Sequence, residues 1–550
     1  MKRILWLMLM LVIAVGSPAQ NKKKTKSTKK LTKQYVDYVR NKDKGKKDLA
    51  QKGSSDPATV TRQQNGVEDT IRNNAFDEYN KFKQEAKDEY VDFRRQCNEK
   101  YAEFLKEAWK SYQAGPIIPK PKDETVPPVV MPKEDEDKPA PKPKPVPIDT
   151  VVPPVIKEEP KPQPKPVAPI YEQPQPVDNR LQFAFFGIDG RVRIPEQMPT
   201  ALSAVNSDVS GDALSKAWKA LSGGGYDNLI RDCLAMRIQY NLCDWAYLLM
   251  VRSLAERYCG GWNNAATFFS SWIYCQTGYQ MKFGETGGKL YMMMGTNHTV
   301  YDLVGYRFDN YHYYVIVNKG ETAPTSMNIC DADFEEQQPM SLWIPKAQKF
   351  PENLSELRTI KSSRYPEAAI TVQVNKNLID FYNTYPTSMV GDNLCSRWAM
   401  YANTPMASNV VENTYPQLRK KIAGKSQLDA ANIILNWIQT GMKYEYDDKV
   451  WGGDRAFFPE ETLYYPYCDC EDRAILYTRL IHDLLGLKCL LVFSPGHLAA
   501  AVNFTDNVEG DWISIGNGKY IITDPTYIGA AVGRTMPGMD NKTAKVIVVE

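Results

Sequence analysis

Proline limits this chain more than any other residue: 20 of its 37 prolines lie in the 61 positions 116–176. Proline lacks an amide proton and fixes φ near −65°, so it breaks helices and sheet interiors. Interleaved with Lys, Glu and Val, as in Lys138-Pro139-Ala140-Pro141-Lys142-Pro143, it cannot bury a core and favours extended polyproline II. The reading for 114–178 is a semi-rigid linker, reaching on the order of 190 Å at about 3.1 Å per residue. The 550 residues exceed what one core can serve, so the linker is expected to separate domains.

The first residues are read as a secretory signal peptide, 1–19. Lys2 and Arg3 give a charged start, Ile4 to Val15 an apolar run, and Ser17-Pro18-Ala19 a small-residue cleavage site. Export to a periplasm or beyond is the expectation. Residues 20–65 are a basic tail, crowded with Lys22, Lys23, Lys24, Lys26, Lys29, Lys30 and Lys33. It reads as a solvated segment, with contact to an anionic envelope surface as the alternative. The net charge of +3 comes from 68 basic and 65 acidic residues, a balance that gives no footprint for nucleic acid.

Over 66–113, Phe76, Tyr79, Phe82, Ala86, Tyr90, Phe93, Cys97, Tyr101, Phe104 and Ala108 recur at steps of three or four between charged residues. This is one apolar stripe on a helical segment. It is expected to pack on itself, on a second copy (self-association) or on a partner.

From about 180 the composition is globular and mixed, and an internal duplication emerges. Gly211-Asp212, Leu214 and Trp218 reappear as Gly391-Asp392, Leu394 and Trp398; Ala266 precedes Gly278 by twelve residues, as Ala474 precedes Gly486. Ile329-Cys330-Asp331 echoes Ile522-Thr523-Asp524. The expected fold is α+β, mixed helix and strand, in two related units over 180–345 and 365–550.

The chemistry concentrates in the second unit. Cys470-Glu471-Asp472-Arg473-Ala474 opens an amphipathic helix that Gly486 closes. The free N–H groups at a helix tip favour a thiolate and can hold an oxyanion. Asp469, Glu471 and Asp472 oppose the thiolate unless paired, and Arg473 is a candidate partner. After a strand and the turn Ser494-Pro495-Gly496, His497 opens a second strand; Lys519 to Thr523 forms another, followed by Asp524. An imidazole and a carboxylate on neighbouring strands can meet across a sheet, the one accepting the thiol proton and the other fixing its tautomer. Tyr444, Tyr446 and Trp437 are candidates for a second oxyanion donor. Cys468 and Cys470 have no further closely spaced Cys or His pair to complete a tetrahedral zinc site, so neither metal nor cofactor is expected.

Cys-Glu-Asp-x-Ala at a helix start, Gly-His at a strand start and Asp-Pro-Thr after a short strand together resemble the transglutaminase-like superfamily, especially its bacterial cysteine-protease-like members. The resemblance covers about 110 residues, Leu428 to Tyr527. It implies a papain-like fold with Cys470 as nucleophile, His497 as base and Asp524 as orienting acid. Leu498 follows the histidine, where an aromatic residue is typical. The implied activity is acyl transfer from an amide through a thioester. Water as acceptor gives a peptidase or amidase, an amine a transglutaminase; hydrolysis is the expectation, on a protein or peptide substrate such as a cell-envelope polymer. The rival is a non-catalytic envelope scaffold. In the first unit Trp262 stands opposite Cys470, so that copy is expected to be catalytically dead, with Asp331 and His298 or His312 as remnants and the strand Tyr311–Tyr314 exposed.

Overall fold

The local signals of the second unit become elements at nearly the expected limits. In the computed structural model, which describes 92–121, 126–136, 138, 145–147, 151–152, 180–308, 311–335 and 337–549, the architecture is mixed helix and antiparallel sheet, an α+β fold. The stretch 1–19 read as a signal peptide, the basic tail 20–65 and residues 66–91 of the expected helical segment lie outside the described residues. Among the described residues no helix is long and apolar enough to cross a membrane.

The helix α1, 92–107, shows where its apolar stripe goes. Cys97 and Tyr101 are buried, and Phe93, Phe104 and Ala108 pack on the same core. Tyr101 sits 4.6 Å, centroid to centroid, from Trp218. The buried Asn98 side-chain oxygen accepts from Trp218 Nε1 (2.8 Å), Ser222 Oγ (3.0 Å) and Gln276 Nε2 (2.9 Å). The stripe is therefore satisfied within the chain over its described part.

After α1, strand β1 (Trp109–Gln113) joins a six-stranded sheet. A hairpin, β2 (Arg180–Phe185) and β3 (Ile188–Arg193), precedes helices α2 (Asp244–Tyr258) and α3 (Asn264–Gln276). The sheet's other strands are β4 (Met281–Thr286), β5 (Lys289–Thr296), β6 (Gly305–Phe308), β7 (Tyr311–Ile316) and β8 (Ser326–Cys330), in the order β1-β8-β4-β5-β7-β6. Tyr313 and Tyr314 are buried, which corrects the expected exposed tyrosine strand. An interior strand buries side chains on both faces, and tyrosine satisfies this while its hydroxyl finds a partner. Tyr314 does so by accepting from Val300 N at 3.0 Å.

Residues 365–550 contain helices α4 (Gln427–Gly441) and α5 (Cys470–Leu485), then strands β9 (Lys488–Ser494), β10 (His497–Asn503), β11 (Trp512–Ile515), β12 (Gly518–Thr523) and β13 (Lys545–Val549). Their order is β11-β12-β10-β9-β13, all antiparallel. Strand for strand this matches β6-β7-β5-β4-β8 of the first sheet. By that order the counterpart of β12 is β7 and that of β8 is β13, so Asp331, after β8, does not occupy the place of Asp524.

The Pro-rich stretch differs from a free spacer where it is described. Val126 N donates to Gly496 O, Met131 N to Ile528 O and Ile528 N to Val129 O, each at 2.8 Å. Glu136 pairs with Arg364 at 3.1 Å. Pro145–Pro147 pairs with β11 and Val151–Val152 with β13, the two opposite edges of the second sheet. Four chain steps reach about 14 Å, whereas six flat strand spacings would span about 29 Å. The sheet is thus curled until its edges approach. Leu490, Val492, Ala501, Ile513, Ile522 and Val546 fill the inside of the curl, while Leu491, Ala500 and Val502 face the larger core. Prolines suit these edges because an edge strand leaves some N–H groups without a ladder partner. Residues 88–550 form one compact unit containing both sheets.

Candidate functional site

Cys470 is the first residue of α5, and Gly486, in the left-handed conformation at φ +68°, ends the helix as glycine does without strain. At the start, Asp469 N donates to Asp472 Oδ2 at 3.2 Å. α5 packs on β9 and on β10, the strand that His497 opens; the Cys470 thiol makes no hydrogen bond to the imidazole, whose Nδ1 has no partner. The backbone N–H of Leu498, one residue beyond His497, acts to lower the Cys470 thiol pKa. Asp524 directly follows β12, and β12 pairs with β10.

The imidazole and carboxylate meet: His497 Nε2 is 2.9 Å from Asp524 Oδ2, and both residues are buried. The other ring nitrogen, Nδ1, is buried with no hydrogen-bond partner. Asp524 Oδ1 accepts from Thr526 N (2.8 Å) and Tyr527 N (3.2 Å), which fixes the carboxylate. The loop beyond is tied by Gln439 of α4. Its Nε2 donates to the carbonyls of Asp524 (3.0 Å), Tyr527 (2.8 Å) and Ala530 (3.1 Å), and its Oε1 accepts from Gly529 N (3.2 Å). Among the described residues Arg473 bonds no acid. It donates to the carbonyls of Met442 (2.7 Å), Gln439 and Pro525 (each 3.4 Å) and to Cys468 Sγ (3.4 Å). Sequence reading missed the role of Gln439, because a single amide in a helix carries no local signal of what it ties.

Electrostatics oppose a resting thiolate. Burial pushes the Cys470 thiol well above its ordinary value, and the charges of Glu471 and Asp469 add to the rise. The thiol donates to Glu471 Oε2 at 3.2 Å. The dipole argument made from the helix start is overruled here by burial and by flanking acids whose charge Arg473 does not offset. For His497 burial acts downward, but the charge and hydrogen bond of Asp524, with Glu471, carry the imidazole above its ordinary value.

The same acids form a cluster that the sequence does not disclose, because part of it comes from 447–454. Oxygens of Asp447, Asp469 and Asp472 lie within 4.8 Å of one another, as do those of Asp447, Asp454 and Glu471. Asp454 pairs with Arg397. Burial, with Glu471 next, raises Asp447 to about 8 and pushes Asp469 well up; burial, then Asp447, does the same to Asp472. Asp469 Oδ1 is buried without a partner. Such an all-oxygen set suits a hard divalent cation of the Ca²⁺ or Mg²⁺ kind and does not suit zinc.

Of the candidate oxyanion donors, Trp437 is committed elsewhere, donating to Ile360 O at 3.0 Å. Tyr444 has a buried hydroxyl with no partner, and burial and the nearby Cys470 both disfavour its ionisation. Tyr446 packs edge-on against Tyr444 at 5.5 Å. All ten cysteines are free thiols.

In the first unit α3 starts at Asn264, so Trp262 precedes the helix, and no thiol stands at its tip. Asp331 is held by Lys110 (2.9 Å) and Tyr112 (2.7 Å) of β1. His298 is buried, accepting from Leu342 N at 3.3 Å, and His312 stacks on Tyr314. In strand order the place of His497 falls to Lys289, which pairs with Glu321 at 3.1 Å.

Comparison with models of known protein families finds none that matches this chain, and comparison with curated proteins finds no match.

Proposed function

We propose that 365–550 is a transglutaminase-like, papain-type domain that transfers an acyl group from an amide, acting as a peptidase or amidase. One observation carries the reading. His497 Nε2 engages Asp524 at 2.9 Å, while its buried Nδ1 has no partner, and Cys470 opens the helix packed on the strand that His497 opens. In this mechanism Nδ1 takes the thiol proton as sulfur attacks the amide carbon. The imidazolium returns that proton to the leaving amine, and a thioester remains. Water, deprotonated by the same nitrogen, then adds to the thioester, releasing the acid and restoring the thiol. The raised thiol keeps the resting nucleophile protonated, so proton transfer to the imidazole has to accompany attack. Tyr444 is the candidate O–H donor to the developing oxyanion.

The shared strand order supports two related units, the first without a nucleophile. The amino-terminal pattern supports export, and the substrate class remains a protein or peptide of the cell envelope. A second reading, a non-catalytic scaffold, draws on the high thiol pKa and on Cys470 being only 3% exposed. Alkylation of the mature chain by iodoacetamide separates the two. Labelling of Cys470 that rises with pH and falls in His497→Ala supports the enzyme; labelling indifferent to His497 sinks it.

A further inference from the structure

A cavity of about 290 Å³ is walled by the β2–β3 hairpin, α2, the loop before α3 and the segment after β7 of the first unit, with Thr384 of 365–550 at its edge. Phe185, Phe186 and Trp262 give it aromatic walls; Arg252, Glu256 and Asn318 give it polar ones. Its place corresponds to the catalytic corner of the second unit. Trp262 lies just before the α3 tip, as Cys470 forms the α5 tip, and Asn318 lies two residues past β7, as Asp524 lies one past β12. The corner that holds a thiol and a carboxylate in one unit holds an indole and an amide in the other.

Arg252 dominates this cavity. It is only 8% exposed, yet its Nη1 is buried with no hydrogen-bond partner. Nη2 donates to Asn318 Oδ1 at 2.9 Å, and the Trp262 ring covers the guanidinium at 4.0 Å. Asn318 is held in turn, its Nδ2 and backbone N each 3.3 Å from Glu321. Glu321 is paired with Lys289, and burial draws Arg252 down to about 10, with Glu321 and Glu256 offsetting this only in part. A buried cation is costly unless it is paired and hydrogen-bonded, so this guanidinium has an unmet demand that a ligand's carboxylate would meet. Guanidinium matches carboxylate in shape and charge, and aromatic walls select an apolar carrier.

We propose that this cavity binds a carboxylate borne on an apolar group, of the kind a free amino acid or the C-terminus of a peptide presents, with Arg252 as its anchor, Asn318 as the residue that positions Arg252, and Trp262 as the wall. The site stands on the cavity alone and does not depend on turnover at Cys470.

Calorimetric titration of the full mature chain tests it with three probes: N-acetylphenylalanine, its amide, and free phenylalanine. N-acetylphenylalanine is expected to bind at least tenfold more tightly than the amide, and Arg252→Met to abolish the difference. Free phenylalanine binding more tightly than the acetylated form assigns the site to amino acids through Glu256; the reverse assigns it to peptide ends. Should Arg252→Met misfold, Asn318→Asp keeps the shape and supplies a carboxylate internally; it gives up the Nδ2 bond to Glu321, and the folded variant is expected to lose the ligand. Cys470→Ala is expected to bind as the wild type does, whatever the fate of catalysis. Equal affinity for acid and amide, no binding of any probe at millimolar concentration, or unchanged binding in folded Asn318→Asp overturns the proposal.

Discussion

His497 Nε2 stands 2.9 Å from Asp524 Oδ2 while the opposite nitrogen of the same ring is buried and unpartnered. The carboxylate selects the tautomer that leaves Nδ1 as the acceptor. Asp524→Asn keeps the size and removes this selection. It is expected to lower kcat by about 10⁴ in amide hydrolysis, with KM little changed. Equal turnover by the variant would remove Asp524 from the mechanism.

Glu471 accepts the Cys470 thiol proton at 3.2 Å and, after burial, contributes most to raising its pKa. Glu471→Gln removes that charge. Each unit by which the thiol pKa falls multiplies the thiolate tenfold at pH below it, so iodoacetamide labelling at pH 7.5 should quicken by about tenfold or more. A slower or unchanged rate would show that the Glu471 charge does not govern the thiol.

The elements that carry Cys470 and His497 were legible because their signals are local. Gly486 marks a helix end, and Ser494-Pro495-Gly496 the turn between strands that occupy Lys488–Ser494 and His497–Asn503. What stayed hidden is set by distant pairing. Asp447 joins Asp469 and Asp472 across a gap of more than twenty residues, and each is an ordinary surface-type residue by sequence. Val126 and Met131 read as spacer because Pro-rich composition says only that a segment builds no core; it does not say that a formed core leaves no place to dock. Tyr311–Tyr314 read as exposed because tyrosine marks both surfaces and sheet interiors.

The clustered carboxylates contribute to the pH dependence of stability. Asp447 is raised to about 8 by burial and Glu471, and Asp469 and Asp472 are also raised. A folded-state pKa above the unfolded one means the folded state holds more protons, so this contribution is complete below about pH 4 and is lost as pH climbs toward 8. Each such group costs up to about 1.4 kcal/mol per pH unit within that window. Chemical denaturation between pH 5 and 8 in the presence of a chelator should show falling stability, with a shallower fall in Asp447→Asn. A stability that rises across this range would mean the acids are ionised and paired in the fold.

The same oxygens predict a response to divalent cations. Ca²⁺ added at pH 7.5 should raise the unfolding midpoint, by about 2.7 kcal/mol of stability at a hundredfold excess over Kd, and a chelator should reverse it. Asp469→Asn, which alters a carboxylate with one unpartnered oxygen, should blunt the response. A midpoint indifferent to Ca²⁺ and Mg²⁺ would leave protonation, with the Arg397–Asp454 pair, to neutralise the cluster.

Gln439 links the helix beneath the site to the loop that carries Asp524, with one amide serving three carbonyls and one N–H. Leucine matches its volume and can serve none of them. Each buried backbone group left without a partner costs about 1–3 kcal/mol, though relaxation recovers part of the sum. Gln439→Leu is therefore expected to lose on the order of 3 kcal/mol in urea denaturation. Because the loop also supplies the Thr526 and Tyr527 amides that hold Asp524 Oδ1, kcat should fall at temperatures where the variant is still fully folded, with KM unchanged. A destabilised variant that keeps its kcat would show that Asp524 is held by its own turn and that Gln439 serves the fold alone.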